Sequence, residues 1–164
     1  MSERQEAFLD IETTGLSATD CEITVVGVYL VNGMRNKLVQ LVGDRVTDEN
    51  LLNVLQGTST IYTYNGMKFD LPFIHRHLGV DLNVMYNHCD LMYRCWENNL
   101  FGGMKSVEVK LNIPRKLKEI NGLEAIKLWW RYINNYDEKA LELLLEYNKE
   151  DVVNLKTLRD KLFQ

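Results

Sequence analysis

The run Ala-Phe-Leu-Asp-Ile-Glu at positions 7–12 alternates like a β-strand, which puts Phe8, Asp10 and Glu12 on one face and Leu9 and Ile11 on the other. Two carboxylates one pleat apart have backbones roughly 7 Å apart, near enough to share a cation. The same pattern suits an edge strand with a solvated acidic face. The next segment, Thr-Thr-Gly-Leu, favours the cation: Gly15 permits a tight turn at the strand end, and such ends are frequent ligand sites in α/β folds. Asp151 is out of place in another way. It lies four residues after Tyr147 and four before Leu155, on the helical stripe that should face a core. An unpaired ionised carboxylate there is costly or neutralises itself. Its partner is either a buried Lys or Arg, or a metal that also accounts for Asp10 and Glu12. Asp70 opens a helix in NGMKFDLPFI, where an N-cap carboxylate is ordinary. It also follows a short strand whose C-terminal end can lie beside the first. Three hard-oxygen sites at one sheet edge suit Mg²⁺ or Mn²⁺ and not zinc. His75, His77 and His88 lack ligand spacing and read as surface or core.

The elements that must position these groups follow from periodicity. Strands are predicted at 7–12, 23–31, 34–42, 60–64 and near 88–91. Asn32-Gly33 between two strand-like runs predicts a type I′ hairpin. Helices are predicted from Thr47 or Asp48 through Leu55, and from Asp70 to Leu78 with Gly79 as C-cap. Further helices should cover most of 92–112 and 123–133, interrupted by Pro114. The longest runs from Asp137 to Phe163 with Leu144, Tyr147, Val152, Leu155, Leu158 and Leu162 as its stripe. Strands with a hairpin, then alternating helices and strands, make a mixed sheet flanked by helices, an α/β domain.

The 164 residues fit one domain, spanning 1–164. Apolar residues at 46% with only 2 Pro exclude disordered and low-complexity classes. No apolar run reaches the roughly 20 residues of a membrane span, and no signal peptide is visible. Cys21, Cys89 and Cys95 form neither an even framework nor a CxxC pair, which points to reduced thiols and a cytoplasmic location. The net charge of −4 argues against coating nucleic acid by bulk positive charge, but not against holding it through bound cations. Charge is uneven: residues 105–118 carry five basic groups against Glu108, and residues 137–151 carry six acids against two lysines. Either run is also explained as solvated helix surface.

FLDIETTGL (8–16), YNGMKFDLPFI (64–74) and YNKEDVVNL (147–155) resemble the three exonuclease motifs of the DEDD superfamily, 3′–5′ exonucleases with a ribonuclease-H-like fold. The D-x-E of the first motif is met by Asp10 and Glu12, and N-x3-[FY]-D of the second by Asn65, Phe69 and Asp70. Tyr147 and Asp151 meet the Y-x3-D of the DEDDy branch; the histidine branch needs His where this chain has Glu146. The stretch GGMKSVEVKLNIPRK with YNKEDVVNLKTL more narrowly resembles stand-alone YprB-like domains.

The resemblance implies a five-stranded sheet with the first three strands antiparallel, and two Mg²⁺ or Mn²⁺ ions held by Asp10, Glu12, Asp70 and Asp151. It implies that Tyr147, assisted by Glu12, orients the attacking water. The backbone after Glu12, at Thr13, and the side chain of Leu16 would meet the terminal nucleotide, and Asn65 and Phe69 would line the same groove, although Leu16 and Phe69 read equally well as core. The basic run 105–118 would track the phosphate backbone. The expected activity is release of nucleoside monophosphates from single-stranded DNA or RNA 3′ ends. A non-catalytic nucleic-acid- or protein-binding module, or an exonuclease subunit of a larger replication or repair assembly, are the alternatives.

Overall fold

The β-branched and alternating runs form strands where the sequence placed them, and the computed structural model describes residues 4–164. Strands β1 (Gln5–Thr13), β2 (Ile23–Asn32), β3 (Arg35–Val42), β4 (Thr58–Thr63) and β5 (Asn87–Asp90) make one sheet in the order β3-β2-β1-β4-β5. The first three are antiparallel neighbours, β4 lies parallel to β1, and β5 parallel to β4. This is the mixed five-stranded sheet of a ribonuclease-H-like fold. Among the described residues it is flanked by α1 (Asp48–Val54), α2 (Asp70–Leu78), α3 (Leu82–Met85), α4 (Leu91–Glu97), α5 (Met104–Lys110), α6 (Gly122–Asn135) and α7 (Glu138–Leu162).

The hairpin differs from the expected one by one residue. Asn32 pairs with Arg35, so the two central residues are Gly33 and Met34. Only Gly33 has positive φ, at 60°. A positive first position filled by glycine is the type II′ pattern, whereas type I′ needs both. The predicted helical stretch 92–112 is split into α4 and α5 around Gly102 and Gly103, and the four-residue α3 was too short to show a period. Gly79 caps α2 in the left-handed conformation, as expected. Asp137 caps α7 by accepting from Ala140 N.

The two faces of β1 bury different things. Ala7, Leu9 and Ile11 pack against α1 and α2 through Leu51, Leu55, Phe73 and Ile74. Phe8 points the other way, toward Leu91, Val107, Leu155 and Leu158 of α4, α5 and α7. Val25 of β2 joins Leu128 of α6 and Leu144 of α7. Helix α7 can cross the sheet closely because β2 has no side chain at Gly27: a Cβ there would stand 2.0 Å from Asn148 Oδ1. Gly27 is the register partner of Asp10, so the close approach is made at the acidic end of β1. Among the described residues no helix is long and apolar enough to cross a membrane.

Candidate active site

Asp10 and Glu12 leave β1 on the face that α7 covers, and α7 contributes Asp151 opposite them. One oxygen from each of the three lies within 4.8 Å of the others. Glu12 Oε1 is buried with no hydrogen-bond partner. A buried carboxylate oxygen without a donor is costly unless something positive meets it, and an all-carboxylate donor set fits a hard divalent cation. Tyr147, one turn before Asp151, is buried beside them. Both partners weighed for Asp151 are present. Its Oδ1 accepts from Arg115 Nη2 at 2.6 Å, while the same residue belongs to the three-carboxylate group.

Asp70 stands apart from that group. It is the first residue of α2 and not its cap, a position held by Phe69 with no side-chain bond. Its Oδ1 instead accepts from Ile11 N at 3.0 Å, tying α2 to the strand between Asp10 and Glu12. The turn before α2 is held by Asp90, which caps α4 through Met92 N and also accepts from Asn65 N and Met67 N. Asn65 takes φ of 59° in this turn.

Crowding of acids in a dry place sets their protonation. Burial first, then the neighbouring Asp151, holds Asp10 and Glu12 well above the ordinary carboxylate range. Burial pushes Asp70 to about 7 against the pull of the Ile11 amide. Burial pushes Asp151 to about 6, with Arg115 opposing. The Tyr147 phenol is raised by burial and by Asp151, so it stays protonated at neutral pH.

Two cavities meet at the carboxylates. The first, of about 350 Å³, is lined by Thr13, Leu16 and Phe69 and by Leu123 and Ile126 of α6, together with the carboxylates. The second, of about 310 Å³, is lined by Tyr64, Lys105 and Asn121 as well as Asp10, Tyr147 and Asp151. Thus Thr13, Leu16 and Phe69 come together with the acidic group, and Asn65 lines neither cavity. Leu16 is 86% exposed, which rejects its reading as core. Phe69 lines the cavity and also packs on Phe73 at 4.9 Å between ring centroids. The basic run does not form one phosphate track. Arg115 is buried against Glu108 and Asp151, and Lys110 donates to the Phe101 carbonyl. Lys105 stands with its Nζ 4.9 Å from the Tyr147 ring centroid. The six acids of 137–151 divide in the same way, with Glu138, Glu142 and Glu146 in solvent and Asp151 in the site.

The profile of the RNase H superfamily matches residues 7–163. The chain belongs to that superfamily. Similar solved structures include the family B DNA polymerase of the archaeon Pyrobaculum calidifontis, 19% identical, with 98% of this chain and 24% of the polymerase covered at a TM-score of 0.75. NrnC of Brucella melitensis is 18% identical over 97% of this chain and 72% of its own, at 0.64. An exonuclease I in complex with an inhibitor is 12% identical over 88% of this chain and 44% of its own, at 0.52. The chain thus spans about a quarter of the polymerase, and these likenesses concern the fold. No curated protein matches the sequence. In this chain the fold brings the C-terminal part of β1 and the middle of α7 together, which is where Asp10, Glu12 and Asp151 meet. Four supporting residues were not singled out from the sequence: Arg115, Glu108, Asn148 and Asp90. Asp90 alone had a local signal, an Asp directly before a helix.

Proposed function

We propose that this chain is a metal-dependent 3′–5′ exonuclease of the DEDDy type, acting on single-stranded DNA or RNA 3′ ends and releasing nucleoside monophosphates. The observation that carries the reading is the triad of Asp10, Glu12 and Asp151 oxygens within 4.8 Å, one of whose carboxylates keeps a buried oxygen without a donor. Asp10, Glu12, Asp70 and Asp151 would hold two Mg²⁺ or Mn²⁺. Bound there, the ions would polarise the scissile phosphate, lower the pKa of a water and neutralise the leaving 3′ oxygen. The chain's own part is positioning. Tyr147, kept protonated, holds the attacking water through its hydroxyl with help from Glu12. Leu16 and Phe69 flank the terminal nucleotide, Thr13 offers it backbone, and Asn65 shapes the turn that carries Phe69. NrnC has been solved bound to pGG, which accords with a nucleic-acid strand as the substrate of this fold.

The test uses matched DNA and RNA strands labelled at either end, with Mn²⁺ and with chelator. Stepwise shortening from the 3′ end, abolished by chelation and by Asp10→Ala, is expected. In parallel Mn²⁺ should raise the Tm of the wild type more than that of Asp10→Ala, because ions bind the folded state. Activity that survives exhaustive chelation sinks the metal mechanism. Strand binding without hydrolysis in the wild type would make the chain a binding module.

A further inference from the structure

The group that meets Asp151 is itself held on its far side. Arg115 Nε and Nη2 clasp Glu108 Oε2 and Oε1 at 2.8 and 2.7 Å, and Nη2 reaches Asp151 Oδ1 at 2.6 Å. Arg115 and Glu108 side chains are 4% and 2% exposed. Asn154, one turn beyond Asp151 on α7, donates to Glu108 Oε1 at 3.3 Å and to the Pro114 carbonyl at 3.2 Å. The chain Asn154–Glu108–Arg115–Asp151 therefore starts and ends on α7 and passes through α5 and the segment after it. Replacing a buried ion pair by apolar side chains is often neutral or stabilising, so stability alone does not explain its presence beside an acidic site.

We infer that Arg115, neutralised by Glu108, is a positioning residue that fixes the rotamer of Asp151 and leaves Oδ2 as its ion-facing oxygen. Two features of the geometry support this. The Arg115 donor occupies Oδ1 alone, so the guanidinium leaves Oδ2 free to face the other carboxylates. The guanidinium is matched by its own carboxylate partner, so it orients Asp151 without adding net positive charge next to a cation. A lone arginine at that distance would compete with the ion; a paired one acts as a hydrogen-bond donor. Groups that orient a ligating carboxylate typically change metal affinity by about 10- to 100-fold when removed. Lys105 does not perform this role, since its Nζ stands over the Tyr147 ring.

The inference rests on the proposed ion site, and the experiment separates the two. Free Mn²⁺ is followed by electron paramagnetic resonance during titration of wild type, Asp10→Ala, Arg115→Met, Glu108→Gln and the double variant Glu108→Met/Arg115→Met, with Tm taken in chelator. Arg115→Met leaves Glu108 buried and unpaired and should melt early. The double variant removes both charges and should recover a Tm near wild type. Positioning predicts that its Mn²⁺ affinity nevertheless stays about tenfold or more below wild type, and that Glu108→Gln weakens affinity because the guanidinium charge is then uncompensated. A merely structural role predicts that affinity recovers with Tm, and wild-type Mn²⁺ affinity in a well-folded double variant overturns the inference alone. Equal Mn²⁺ binding by wild type and Asp10→Ala, or none by either, overturns the ion site and this inference with it.

Discussion

Gly27→Ala tests how the fold places the chemistry, without touching a carboxylate. The added methyl would stand 2.0 Å from Asn148 Oδ1 and 2.8 Å from its Cγ, so one of the two must move. The amide cannot turn aside freely. It accepts from Gln40 Nε2 at 3.1 Å and donates to the Asp10 carbonyl at 3.3 Å, and Gln40 is also bound to the Leu145 carbonyl at 2.8 Å. Overpacking of this kind costs about 1–3 kcal/mol, and two displaced neutral hydrogen bonds add roughly 1 kcal/mol each. The sum is about 3–5 kcal/mol, and at about 2–4 °C per kcal/mol for a chain of this length the Tm should fall by roughly 6–20 °C. Asn148 lies between Tyr147 and Asp151, so relief by shifting α7 moves both. A misplacement of about 1 Å costs on the order of 10²-fold in rate.

The assay is thermal melting in chelator with single-turnover cleavage in Mn²⁺ alongside. A companion variant, Gly27→Ala/Asn148→Ala, removes the atoms the methyl strikes. Its destabilisation should be smaller than the sum of the two singles, because the clash is counted in one single and absent from the double. A Gly27→Ala protein melting within 2 °C of wild type, or strict additivity in the double, would refute the claim that this contact sets the position of α7.

Two further outcomes follow from the site. Folding raises the pKa of Asp10 and Glu12, of Asp70 to about 7 and of Asp151 to about 6, so the folded state binds more protons than the unfolded one. Stability that is full below the ordinary carboxylate pKa is then lost as pH rises through about 6 and 7; the chelated protein should melt higher at pH 5 than at pH 8, saturating Mn²⁺ should flatten the slope, and a chelated Tm that rises over this window contradicts the burial of the four acids. Tyr147→Phe keeps the ring on its stripe and removes the hydroxyl proposed to hold the attacking water, so Mn²⁺ affinity and Tm should hold while the single-turnover rate falls by roughly 10²- to 10⁴-fold; a rate within about twofold of wild type removes Tyr147 from the mechanism.

What was legible in the sequence is what repeats locally. Alternation in residues 7–12 assigned Asp10 and Glu12 to one face, and β1 has them there, covered by α7. The three-to-four spacing of the last helix put Asp151 on its buried stripe, and it is buried. The turn at Gly33 was displaced by one residue because Asn-Gly is compatible with two registers, and pairing of Asn32 with Arg35 selects the second. Asp70 looked like a cap because its position suits one, and the tie to Ile11 N joins residues 59 apart, which no local pattern encodes. The same holds for Arg115 and Asp151, 36 apart. The basic run read as a surface because charge counts ignore burial. Asn148 had no signal of its own: its meaning comes from the missing side chain at Gly27 on another element.

Helix α7 carries two demands on one face. Leu144, Leu155 and Leu158 are fully or almost fully buried, and each such burial contributes about 1.5–3 kcal/mol. Between them the same stripe holds Tyr147, Asn148 and Asp151, groups that burial penalises. Placed at the end of a helix, these would open the site by fraying. Placed between two apolar anchors, they are held against β1 and β2 by packing on both sides. The carboxylates of β1 are fixed just as firmly, since Leu9 and Ile11 lock the opposite face of the strand into the α1–α2 core. Asp10, Glu12 and Asp151, the three acids that crowd one another, therefore sit on β1 and α7, and the fourth, Asp70, is tied to β1 through Ile11 N. Their repulsion cannot be relieved by moving backbone, only by taking up protons or a cation. That is why the stability of the chelated protein should depend on pH and on Mn²⁺ through the same four side chains.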